Sequence, residues 1–231
     1  MTSNPGPLKL VIFDCDGVLV DSERLSLTVL RDMLVERGGD ITYEETVTRF
    51  LGTSMPECVV RAGELLGHPV GDAFLPEFGE RTKMAFMHGL KRVPGVTQVL
   101  DGLRIPYCVA TNGNSAKIEF TLAHTGLRAR FNGRVFTAED VARPKPAPDL
   151  FLHAASMLGV WPDVTAVVED SPAGITAAKA AGMTAIGFAA LTAPELLVAA
   201  GADHIVYDMD EVASLLAQLC VGAASTAARE G

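Results

Sequence analysis

The sequence is poor in the features that cross-link a chain, anchor it in a membrane or draw it to nucleic acid. Its four cysteines, Cys15, Cys58, Cys108 and Cys220, are widely spaced and none forms a C-x-x-C pair. This argues against a disulfide framework or a cysteine zinc site and predicts reduced thiols. The five histidines are equally scattered and show no ligand spacing. The longest apolar runs, such as 10–13 and 165–168, are far too short to span a bilayer. The amino terminus, MTSNPGP, has neither a basic n-region nor an apolar h-region, so a cytoplasmic location is expected. Lysine and arginine form no cluster and the net charge is −9, which argues against nucleic acid or a membrane surface as partner. An anionic substrate would be repelled by the global field, so local groups must attract it. There is no internal repeat.

What is present is the composition of an ordinary globular protein. In 231 residues, 48% are apolar and 20% charged, enough for one sizeable core or a core with a smaller second domain. Short β-rich runs alternate with helical stretches. LKLVIFD (8–14), IPYCVAT (105–111) and VTAVVED (164–170) read as buried strands; 134–138, 183–188 and 203–207 are weaker candidates. Helical spacing fills 114–125, 149–159, 172–181 and 210–219. Near-continuous apolar strands separated by helices imply a parallel sheet covered on both faces, an α/β fold.

One stretch breaks the alternation. From about Ser22 to Lys91 there is no convincing strand, and apolar spacing in 23–37, 43–51, 55–66 and 74–88 is helical. This is too long for a single crossover and reads as a helical insertion after the first strand. Asp21-Ser22, a helix N-cap signal, and Val93-Pro94-Gly95 mark its edges. The expected division is a core of 1–21 and 92–231 and a helical domain of 22–91. The first six residues and the tail after Leu219 are expected to fray.

Four clusters carry chemistry. Asp14-Cys15-Asp16-Gly17 follows a buried strand, where open parallel sheets bind ligands. Two acids two residues apart suit a nucleophilic carboxylate beside a proton shuttle, and their mutual repulsion invites a divalent cation. Thr111-Asn112-Gly113-Asn114 ends another strand and could cradle an anion, or could equally be a turn with an N-cap. Lys145, between Pro144 and Pro146, is a stiffened ammonium able to offset phosphoryl charge; the bland alternative is a proline-rich surface connection. Glu169-Asp170-Ser171 offers hard oxygen ligands for Mg²⁺, or simple N-capping by Asp170 or Ser171.

In this fixed order the clusters make the chain resemble the haloacid dehalogenase superfamily, in the subclass with a helical cap inserted after the first motif. The motifs DCDGVLVDS, TNG, the lysine of RPKPAPD, and VEDSPAG all match, and the resemblance runs from Leu8 to about Leu219. It implies a Rossmann-like parallel sheet and a phosphatase mechanism. Asp14 resembles the nucleophile that forms an aspartyl-phosphate, and Asp16 the general acid/base. Thr111 and Asn112 resemble phosphate ligands, and Lys145 the residue that steadies nucleophile and phosphate. Asp14, the Asp16 carbonyl and Asp170 resemble the Mg²⁺ ligands, with Glu169 a ligand or an outer partner. The implied substrate is a small phosphate ester, such as a sugar or sugar-acid phosphate. The chain is expected to be a monomer, with a weak dimer as the alternative.

Dehalogenases of the superfamily need neither the second aspartate nor the metal, and its transport ATPases carry threonine there and span membranes; Asp16 points to phosphoester chemistry. The rival is a β-phosphoglucomutase-like isomerase. Such mutases carry a cap histidine where this chain has Ser26, and an arginine three residues after a glycine, where Gly52 is followed by Thr53, Ser54 and Met55. Arg49, Arg81 or Lys83 remains as an alternative second phosphate site. A binding module without catalysis is a further alternative, opposed by the intact Asp14, Asp16, Lys145 and Asp170. The cap residues Glu23, Arg24, Arg49, Ser54, Met55 and Lys83 are candidate substrate contacts.

Overall fold

The computed structural model describes residues 6–53 and 55–221. Ser54 and most of the expected frayed ends, 1–5 and 222–231, lie outside the described residues. The chain divides into two compact units, residues 20–91 and residues 1–19 with 92–231.

The chain begins with strand β1 (Leu10–Phe13) and then enters helices α1 (Ser22–Glu36), α2 (Tyr43–Phe50), α3 (Met55–Leu66) and α4 (Phe74–Gly89). These four helices make the smaller unit. Its core gathers Leu27, Leu30, Met33, Leu34, Phe50, Ala62 and Phe74. Helix α2 starts on a capping box: the Thr42 hydroxyl accepts from the Glu45 N–H, and the Glu45 carboxylate accepts from the Thr42 N–H. The Asp21-Ser22 signal works differently from the expectation. Asp21 precedes α1 but is not in extended geometry and makes no side-chain cap bond; its carboxylate pairs with Arg24 at 3.2 Å. The two ends of this unit meet where the Asp21 N–H donates to the Lys91 carbonyl at 2.9 Å.

The larger unit continues with α5 (Val96–Gly102), β2 (Tyr107–Thr111), α6 (Ser115–His124), α7 (Arg128–Phe131) and β3 (Val135–Thr137). Then come α8 (Asp149–Met157), β4 (Thr165–Glu169), α9 (Pro172–Ala180), β5 (Thr184–Phe188), α10 (Pro194–Ala199), β6 (His204–Val206) and α11 (Met209–Val221). Every expected strand is present, trimmed by one to three residues. The short helices α5, α7 and α10 escape a sequence reading because they hold two turns or fewer, too little to display a 3.6-residue period.

The six strands among the described residues form one parallel sheet, ordered β3-β2-β1-β4-β5-β6. The register pairs Phe13 with Val109 on one side and with Val168 on the other. β1 and β4 are buried at every residue, which explains their unbroken apolar runs. Leu10, Ile12, Cys108, Ala110, Val167, Leu150, Phe151 and Ile175 join sheet and helices into one core. From β1 the chain order runs outward through β2 to β3, and β4 begins the run on the other side. Strand order therefore reverses beside β1, and the crevice at the carboxyl ends of β1 and β4 is where such sheets bind ligands.

Candidate active site

Asp14 follows the last residue of β1, Thr111 ends β2, and Glu169 ends β4, so the sheet delivers all three to one edge. Asp14 is buried, and its N–H donates to the Val168 carbonyl at 3.0 Å, extending the ladder by one bond beyond the strand. The chain then leaves the sheet through Gly17, at φ +76°. A β-carbon on Gly17 would collide with the Asp170 carboxylate, so glycine is needed both for the turn and for that close approach.

Lys145 reaches into this edge from the proline-flanked loop. Its side chain is 3% exposed, and Nζ donates to Asp14 Oδ1 at 2.6 Å, to Glu169 Oε1 at 2.6 Å and to the Ala110 carbonyl at 2.8 Å. All three ammonium hydrogens are thus spoken for. Nζ also lies 4.8 Å from the centre of the Phe151 ring. Burial alone would push the lysine's proton affinity down, but the adjacent Asp14 and Glu169 charges outweigh it, and the ammonium is held well above its ordinary range. Asp14 moves the opposite way from most ion-paired acids. Its carboxyl is pushed up to about 7, because burial and the neighbouring Glu169 and Asp16 raise it by more than Lys145 pulls it down.

Asn112, expected to bind phosphate, has its side chain committed elsewhere. Nδ2 donates to the Lys145 carbonyl at 3.0 Å, and Oδ1 accepts from the Lys145 N–H at 3.0 Å. The amide side chain clamps the lysine's main chain through one of its two N–H donors and its oxygen. The Thr111 hydroxyl accepts from the Gly113 N–H at 3.2 Å, and the Asn114 side chain caps α6 through the Lys117 N–H at 2.8 Å. The turn-with-N-cap reading therefore holds for Asn114.

Glu169 is 1% exposed, with Oε1 on Lys145 and Oε2 accepting from the Ser171 N–H and hydroxyl, both at 2.9 Å. Both oxygens are engaged by donors, and Glu169 is a counter-ion of Lys145. The Ser171 hydroxyl in turn caps α9 by accepting from the Gly174 N–H at 3.0 Å. A β-carbon on Gly174 would strike the Glu169 carboxylate, so VEDSPAG is one packed unit. Cys15, between the two acids in sequence, is fully buried, and its thiol is pushed far up by burial and by Asp16 and Asp14.

Lys117 is the residue the motifs missed. Its Nζ donates to Asp16 Oδ2 at 2.6 Å. The only sequence signal was a lysine in the first turn of a helix, where the macrodipole disfavours a cation. Arg143, next to the motif lysine, pairs with Asp149 on the surface and stays out of the site.

The site holds four carboxylates, on Asp14, Asp16, Glu169 and Asp170, against two ammonium groups, on Lys145 and Lys117. A hard divalent cation fits this donor set. No group of three or more His, Cys, Asp and Glu side chains among the described residues forms a cage. Mg²⁺ is usually held by one or two carboxylates plus water and substrate oxygens, so two acids and a main-chain carbonyl suffice.

The chain is similar to proteins of known family. Residues 11–188 match the model for haloacid dehalogenase-like hydrolases. It is 32% identical to the 6-phosphogluconate phosphatase of Escherichia coli over 186 residues, 79% of this chain and 83% of that protein. A fructose-1-phosphate phosphatase of the same organism is 35% identical over 179 residues, covering 76% of this chain and 94% of its own length. A hydrolase of the same family from Deinococcus radiodurans, solved with bound phosphate and sodium, superposes with a TM-score of 0.84 at 28% identity, covering 94% of this chain and 99% of that one. The chain belongs to the haloacid dehalogenase-like hydrolase family.

Proposed function

We propose that this member of the haloacid dehalogenase-like hydrolases is a Mg²⁺-dependent phosphatase that cleaves a small phosphate monoester, a sugar or sugar-acid phosphate, through an aspartyl-phosphate on Asp14. The observation that carries the reading is the buried Lys145 bridging Asp14 and Glu169, with Asp16 two residues from the nucleophile at the switch edge of the sheet. The relatives that act on 6-phosphogluconate and fructose 1-phosphate support the substrate class.

In the first step an Asp14 oxygen bonds to phosphorus, the ester P–O bond breaks, and Asp16 gives its proton to the leaving oxygen. In the second, water attacks phosphorus, the bond to Asp14 breaks, and Asp16 takes the water's proton. Lys145 fixes the direction of the Asp14 carboxylate and offsets charge on the phosphoryl oxygens. Glu169 and Asn112 hold Lys145 by its ammonium and its main chain. Thr111 and the backbone N–H groups of the following turn receive the phosphoryl group. Asp14, the Asp16 carbonyl and Asp170 would hold Mg²⁺, which when bound supplies the positive charge that favours the Asp14 carboxylate over its neutral form and neutralises the phosphoryl oxygens.

The helical unit 20–91 takes the part of a cap that selects the substrate. Two features within it favour hydrolysis over the mutase alternative. The Ser26 hydroxyl is spent on the Ser22 carbonyl at 3.0 Å. Arg81, a possible second phosphate ligand, is paired with Glu36 and Glu77, each at 2.7 Å. The decisive experiment incubates the protein and Mg²⁺ with a panel of sugar and sugar-acid phosphates, measures free phosphate, and maps the phosphorylated peptide after acid quench. Phosphate release with label on Asp14 is expected; label on another residue, or turnover with no labelled protein, overturns the mechanism.

A further inference from the structure

We infer that Lys117 is a positioning residue for Asp16, and that this pair sets how strongly the reaction depends on the quality of the leaving group. The inference rests on the phosphatase reading above and adds a residue to it.

Lys117 occupies the third position of α6, and its N–H is fixed by the Asn114 cap at 2.8 Å. A cation so close to a helix N-terminus opposes the macrodipole, so its placement needs an acceptor nearby. The Asp16 carboxyl is that acceptor: Lys117 Nζ donates to Oδ2 at 2.6 Å, although the residues are 101 positions apart in sequence. The contact is partly exposed, with side chains 38% and 19% exposed.

Lys145 cannot do this work. Its three donors are spent on Asp14, Glu169 and Ala110. Each of the two acids of the first motif therefore has its own lysine. Asp14 sits on the strand ladder through its N–H, whereas Asp16 lies in the turn that Gly17 completes. One Asp16 oxygen held on Lys117 sets the direction in which the carboxyl presents its proton. In the step as written above, that proton goes to the leaving oxygen while phosphorus passes to Asp14. A leaving group that departs readily as an anion needs the proton little; a poor one needs it fully.

The test uses phenyl, 4-nitrophenyl and 2,4-dinitrophenyl phosphate in excess Mg²⁺ with the native protein, Lys117→Met and Lys117→Arg, each checked by circular dichroism. For Lys117→Met, kcat/KM on phenyl phosphate is expected to fall by about tenfold or more, within the range general acid catalysis supplies. On 2,4-dinitrophenyl phosphate it stays within about threefold, so the dependence on leaving group steepens. Lys117→Arg keeps the charge and restores phenyl phosphate to within about threefold of native. A uniform loss across the series, as a merely structural lysine would produce, or no loss with phenyl phosphate, overturns the inference. Should Lys117→Met not fold, Lys117→Gln carries the same expectation. A native protein inert on all three esters and on the metabolite panel overturns the phosphatase reading instead.

Discussion

The Lys145 ammonium lies 2.6 Å from the Asp14 carboxylate, inside the protein and 131 residues away in sequence. A buried pair of this kind is costly to form from hydrated ions and costlier to break from one side. It lies at the place where the proposed nucleophile, Asp14, would have to be aimed.

Asp14→Asn is expected to leave the protein folded, because Lys145 keeps Glu169 and the Ala110 carbonyl as partners. Turnover should fall at least about a hundredfold, since loss of a nucleophile commonly costs several orders of magnitude. Phosphate release, measured after controls for deamidation back to aspartate, decides it; retention of more than about 1% of activity would sink the assignment.

Glu169→Ala should destabilise the fold severely. It strips Lys145 of one of its two anions and orphans the Ser171 N–H and hydroxyl. Breaking one side of a buried ionic network typically costs about 3–5 kcal/mol. Urea unfolding monitored by circular dichroism would show a lowered midpoint; a midpoint unchanged from native contradicts the counter-ion role.

Gly174→Ala reverses an ordinary rule. In a helix, alanine is favoured over glycine by about 0.5–1 kcal/mol. Here the added methyl meets the Glu169 carboxylate, so a loss of about 1–3 kcal/mol is expected, typical of overpacking, together with reduced turnover. A stabilised and fully active variant would show that the β4–α9 turn is looser than described.

Removal of divalent cations with excess chelator should abolish activity, and Mg²⁺ should restore it. Ca²⁺ should inhibit, because it is larger, takes more ligands and would misplace the Asp14 carboxylate. Colorimetric phosphate assay across a metal titration is sufficient, and full activity in chelator would falsify the metal assignment.

Hydrolysis should outpace isomerisation on every sugar phosphate, with or without a sugar bisphosphate primer. Methionine at position 55 cannot bind a second phosphate, and the Ser26 hydroxyl is engaged by its own helix. Following inorganic phosphate and positional isomers together checks this; faster isomer formation would transfer the protein to the mutases.

The sequence by itself determined the alternation of strands and helices, the helical stretch between residues 22 and 91, and the identity of the acids and the lysine in the four motifs. These are legible because a strand buried on both faces must be apolar throughout, and because carboxylates at its end have few bland explanations. Tertiary structure alone decided what those groups do to one another. No spacing rule brings Lys145 onto both Asp14 and Glu169, turns the Asn112 amide onto the Lys145 main chain, or occupies both Glu169 oxygens with donors. Nor does any motif connect Lys117 to Asp16. These contacts join residues 24 to 131 positions apart, apart from those of Glu169 to Ser171. They exist because a parallel sheet brings the ends of distant strands to one edge, where burial makes each charge find a partner.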